Sequence, residues 1–261
     1  MTILKTRKEI VETKKIIASE LTKMQKAFYD EKVLQYYRDD NKEHLYWEKF
    51  DFFDREVVES ETYSKIIGLN HSDIHSFTTE LTKQMTELFQ KIGATEFYII
   101  SHLKMDFFGN RDNKFKPLVR SYKKLEAIIG QSTYKEAFEC DINGLSDFIE
   151  ILFWTTRCDP CVAEYIFLFD KNEKIQIYLC KYGNIHLTEL GQEVLTDNTL
   201  TSLGWIIVDG QEFDNFTEDG KISGRKLKMH GRLTGGSRVA NRFANSVHQA
   251  VLRNSGGGEA Q

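Results

Sequence analysis

Hydrophobic positions in the first part of the chain recur with the period of a helix. Ile10, Ile17, Leu21, Met24 and Phe28 share one face at spacings of seven, four, three and four, with Lys, Glu and Thr between them. That stripe predicts one amphipathic helix over about 5–36. Ile3, Ile10, Ile17 and Met24 also keep a seven-residue register, but the companion positions carry Arg7 and Lys14 before Leu21 and Phe28. A seam half made of charge is a poor coiled coil, so this helix is expected to pack on its own domain. A second helix is expected over 70–92, capped by Asn70 or Ser72, striped by Phe77, Leu81, Met85, Leu88 and Ile92, and ended by Gly93. A third begins at Pro117, buries Leu118, Tyr122, Leu125 and Ile129, and closes at Gly130.

Other segments read as strands. Phe97, Tyr98, Ile99 and Ile100 form a short apolar run. Tyr165-Ile166-Phe167-Leu168-Phe169 is apolar on both faces, as a central strand must be. After the polar turn 170–174, Ile175, Ile177 and Leu179 alternate with Gln176, Tyr178 and Cys180. Gly183-Asn184 permits another turn before Ile185 and Leu187, and Trp205-Ile206-Ile207-Val208 runs into a hairpin-type turn at Asp209-Gly210. The stretch 145–156 gives two signals. Leu145, Phe148, Ile149 and Leu152 have helical spacing, whereas Ile151 to Thr156 has strand composition, so helix followed by extended chain is expected.

Helices first and an antiparallel meander later predict an α+β fold, N-terminal helices packed with a C-terminal, mainly antiparallel β-sheet. A single domain over 1–219 is expected, helical to about residue 93 and mixed beyond it. Residues 220–261 change composition to Gly, Ser, Arg and Asn, a basic tail that is either native or an appended extension. Val239, Phe243, Val247 and Val251 recur every four residues there and allow a short helix.

Charge sharpens the division. The tail holds eight Lys/Arg against one acid, while the remaining residues hold 27 against 38, so the formal net of −4 describes neither part. A hydrophobic fraction of 41% with 18 Phe and 11 Tyr is enough for a large core. Four cysteines are too few for a disulfide scaffold in a chain this size, and no apolar run approaches the ~20 residues of a membrane span. The start lacks the apolar stretch of an export signal, so a cytoplasmic protein without membrane contact is expected.

Candidate chemistry is sparse. Cys158-Asp159-Pro160-Cys161 has the spacing of redox thiols and zinc sites, with Cys140 and Cys180 on either side, but no second C-x-x-C pair is present and Asp-Pro is ordinary turn chemistry. Zinc on Cys158 and Cys161 is the one cofactor this allows. His71 and His75, four apart, share a face if the second helix starts early, and His186 follows a strand. There is no G-x-S-x-G, Walker loop or G-x-G-x-x-G, and Gly231 to Ser237 reads as a linker. No catalytic residue is assigned.

Two surfaces remain. Residues 39–61 hold nine acids against three bases, interleaved with Tyr46, Trp47, Phe50, Phe52 and Phe53. Either the rings enter the core and the acids are solvated, or rings ringed by carboxylates meet a basic protein partner, with Tyr46, Trp47, Glu48, Phe50, Asp51, Asp54 and Glu56 as its contacts. Arg111, Lys114, Lys116 and Arg120, with Lys123 and Lys124, form a basic counterpart that suits phosphate. The leading expectation is a cytosolic protein-binding regulator, in concrete form an immunity-type inhibitor of a basic toxin. A metal- or thiol-dependent enzyme using Cys158 and Cys161 is the alternative. Nucleic-acid binding through the tail and the 111–124 patch comes third.

Overall fold

The structure is a computed structural model that describes residues 2–71 and 73–208. The Asp209-Gly210 turn, the tail and the Ser72 cap lie outside the described residues. The fold is α+β. In chain order its elements are β1 (Thr2–Lys5), α1 (Arg7–Thr13), α2 (Lys15–Phe28), α3 (Glu31–Asp39), α4 (Glu43–Trp47), β2 (Thr62–Leu69), α5 (Phe77–Ile92), β3 (Glu96–Ser101) and α6 (Lys116–Ile129). There follow β4 (Ala137–Asp141), α7 (Leu145–Cys158), β5 (Ile166–Asp170), β6 (Ile175–Leu179), β7 (Ile185–Leu190), α8 (Asp197–Ser202) and β8 (Trp205–Ile207).

The strands form one antiparallel sheet in the order β1-β4-β3-β5-β6-β7-β2-β8. Alternation along each strand sends side chains to two helical layers. On one face Ile99, Leu168, Ile177 and Leu187 pack with Leu81, Leu88, Leu125 and Leu152 of α5, α6 and α7. On the other, Tyr98, Ile100, Phe167 and Phe169 meet Ile10, Ile17 and Leu21 of α1 and α2. A third cluster joins Phe28, Val33 and Leu34 to Tyr46, Phe50 and Leu103.

The single N-terminal helix expected from the stripe is three helices. Thr6 and Glu9 close a reciprocal capping box at the start of α1. Lys14 then leaves helical geometry, and the Glu173 carboxylate, carried on the β5–β6 turn, accepts the free N–H groups of Ile16 (2.8 Å) and Ile17 (3.1 Å) at the start of α2. Asp30 caps α3 through the N–H groups of Lys32 and Val33. Two local caps and one supplied from across the chain broke a pattern that periodicity alone joined.

Helix α5 starts at Phe77, later than expected, and both α5 and α6 end at the expected glycines, Gly93 and Gly130, in left-handed geometry (φ 70° and 71°). Helix α7 corrects the split expected over 145–156, since the whole stretch is helical. Its run from Ile151 to Thr155 is buried at every position, because α7 contacts both α5 and α6. No helix among the described residues is long and apolar enough to cross a membrane.

Candidate functional site

The acidic and aromatic segment is built ring inward. Tyr46 stacks on Phe50 with centroids 4.6 Å apart, its hydroxyl oxygen accepts the Asp30 N–H at 3.1 Å, and burial pushes its phenol up to about 12. Phe52 is buried in the other cluster, under α1 and α2, with the Arg7 guanidinium 4.9 Å from its ring centre. Trp47 is half-buried against Tyr29 and donates its indole N–H to Glu43 at 3.1 Å. Tyr46 and Phe50, expected as partner anchors, are therefore the floor of the segment, and neither is exposed to grip a second protein.

The carboxylates divide by role. The carboxylate of Asp51, a residue expected among the partner contacts, already has partners within the chain. It takes a bidentate ion pair from Arg7, with Nε–Oδ2 at 2.7 Å and Nη2–Oδ1 at 3.0 Å, and a third bond from the Gln25 amide at 2.9 Å. Arg7 is 1% exposed and also donates to the Ser101 carbonyl at 2.6 Å. This is a structural knot joining α1, α2, β3 and the acidic segment. Glu48 is exposed and paired with Lys135 at 3.0 Å, a bond that holds its carboxyl below the usual range. Asp54 and Glu56 are exposed and make no ion pair among the described residues, while Asp39, Glu59 and Glu61 are exposed as well.

The cysteine motif is a turn. Cys158 ends α7 and is buried; Cys161 is exposed. Between them the buried Asp159 accepts the N–H of Asn110 (2.6 Å), the N–H of Cys161 (2.8 Å) and the Tyr122 hydroxyl (2.5 Å). Burial raises the Cys158 thiol to about 11, and burial followed by the Asp159 charge raises Cys161. Thiolate chemistry wants the opposite shift. Among the described residues no group of three His, Cys, Asp or Glu converges as a metal site. His71 and His75 precede α5 and share no helical face; His71 Nε2 pairs with Ser76 Oγ at 2.8 Å. His186 stacks on Tyr178, centroids 4.2 Å apart.

The basic run separates into two halves. Arg120 pairs with Glu150 at 2.7 Å, and Lys124 with Glu150 and Asp147 at 2.7 and 3.0 Å. Arg111, Lys114, Lys116 and Lys123 are exposed and make no ion pair among the described residues. Two of them, Arg111 and Lys123, line a groove of about 130 Å3 with Phe108, Val119, Tyr122 and Glu126. Sequence reasoning passed over Phe108 and Gly109 and read Asp159 as ordinary turn chemistry; all three meet at that groove. Gly109 was legible only in hindsight: a Cβ there would lie 2.6 Å from the Asp159 carboxylate. It also passed over His102, which is buried beside Phe28 and Tyr165.

Against known proteins, no family model, no curated protein and no solved structure matches this chain, so its chemistry is read from its own residues.

Proposed function

We propose that this chain is a protein-binding regulator that meets a cationic protein through the acidic surface of residues 39–61, in concrete form a cytosolic inhibitor of a basic toxin. One observation carries the reading: the division of labour within that segment. Buried Tyr46, Phe50 and Phe52 fix the backbone, Asp51 ties it to Arg7, and Glu48, Asp54, Glu56, Glu59 and Glu61 are left exposed. Exposed carboxylates on a fixed backbone attract an opposite charge without the ordering cost of a mobile loop. Such a surface acts mainly on encounter rate and specificity, and its effect falls with added salt. The thiol enzyme draws less support, since both Cys158 and Cys161 are shifted away from thiolate. Nucleic-acid binding by the tail concerns residues outside those described.

The test compares the full chain with a Glu48→Lys/Asp54→Lys/Glu56→Lys variant as bait, at low and moderate salt. A cationic protein retained by the unaltered chain, released by salt and lost from the variant supports the proposal. A partner held equally by both baits overturns it.

A further inference from the structure

We infer that the groove between the 108–111 segment and α6 is a binding site for a nucleoside phosphate, distinct from the acidic surface. The groove has a rigid floor. The Tyr122 hydroxyl accepts the Gly109 N–H at 3.1 Å and donates to the buried Asp159 carboxylate, which also accepts the Asn110 N–H. Burial, followed by the Asp159 charge, raises the Tyr122 phenol, so it stays a donor. On that floor the Arg111 guanidinium lies 4.0 Å from the centre of the Phe108 ring. The ring is buried and the arginine is exposed, so one face of a planar cation is braced from behind. A braced guanidinium is a stacking platform for a nucleobase.

The charges around it suit the phosphate. Lys116 and Lys123 stand seven residues apart, two turns along the helix that carries the lining residues Val119, Tyr122 and Glu126. Neither they nor Lys114 nor Arg111 is neutralised by an acid among the described residues, whereas Arg120 and Lys124 on the same helix are. Glu126, at the groove wall, is an acceptor for an exocyclic amine of a base. The stacking cation Arg111, the lysine Lys123 and one acceptor, all lining the groove, together match a base carrying a phosphate, which either a free nucleotide or a unit of a single strand supplies.

The experiment titrates the full chain with AMP, with a short single-stranded oligonucleotide and with inorganic phosphate, using calorimetry at low salt. Binding of AMP or the oligonucleotide, weakened about tenfold by Arg111→Ala and by Lys123→Glu, is expected. Arg111→Lys keeps the charge but loses the plane, and is expected to fall nearly as far as alanine. AMP binding identifies a free nucleotide as the source, and oligonucleotide binding alone identifies a strand. Full retention in Arg111→Lys, affinity for inorganic phosphate alone, or binding that none of the groove variants weakens overturns the assignment. The last of these places the ligand on other cations, those of the tail included. All three substitutions are at exposed positions and leave the folded core intact.

Discussion

At the scale of single residues, carboxylates close together in sequence have opposite duties. Asp51 anchors a guanidinium that is almost wholly buried, so Asp51→Asn leaves Arg7 uncompensated and is expected to cost about 3 kcal/mol. Glu56→Gln, at an exposed position without an ion pair, is expected to change stability by less than about 0.5 kcal/mol. Urea midpoints of the two variants decide the matter; equal values would contradict the structural role of Asp51 as the partner of buried Arg7. No count of charges in the segment separates the two carboxylates, because the partner of Asp51 is 44 positions away. His102 is a second residue invisible to pattern. Its Nδ1 donates to the Tyr165 carbonyl at 3.0 Å, its Nε2 is buried with no partner among the described residues, and burial lowers its pKa from 6.5 to about 3. Between those values the unfolded chain binds a proton that the folded chain does not. Stability from this group is therefore whole above about pH 6.5 and is lost as the pH falls toward 3, by about 1 kcal/mol per unit. Urea unfolding at pH 7, 5 and 4 is expected to show a shallower loss for His102→Phe than for the unaltered chain. Parallel losses would remove His102 from the account.

At the scale of elements, legibility followed the solvent. Helices α5 and α6 each have one wet face, so their stripes and terminal glycines were readable. Helix α7 is buried nearly all round and carries no such contrast, which is why its second half read as a strand. The β5–β6 hairpin announced itself by alternation around a polar turn. Strands β1, β2 and β4 did not: β1 and the first half of β2 are part exposed, and β4 carries Glu139 and Asp141 among its five residues. The break between α1 and α2 depends on a carboxylate 157 positions distant. Glu173→Ala is therefore expected to cost about 1 kcal/mol and to speed amide exchange at Ile16 and Ile17, with the rest of α2 little changed. Unchanged exchange there would show that the cap is dispensable. At the groove floor, Gly109→Ala is expected to destabilise by about 1–3 kcal/mol, since a Cβ would press on the Asp159 carboxylate, whose bonds to Asn110, Cys161 and Tyr122 hold it in place. A thermal midpoint equal to that of the unaltered chain would contradict the close approach.

At the scale of the whole molecule, exposed carboxylates gather in the segment between α3 and β2, and cations without an ion pair among the described residues gather on α6 and the loop before it. Composition singled out both segments but could not choose between core and partner for the rings of the first, of which Tyr46, Phe50 and Phe52 are buried. The physical reason is that aromatic residues serve buried floors and binding anchors equally well, and only neighbours brought from α2 and α3 decide between them. The account rests on carboxylates held outward by that floor. Hydrogen exchange of the full chain, alone and with the cationic protein it retains, tests this most directly. The account predicts slowed exchange concentrated in residues 39–61 on complex formation, abolished by reversing Glu48, Asp54 and Glu56. Slowed exchange confined to other elements, with residues 39–61 unchanged, would contradict it.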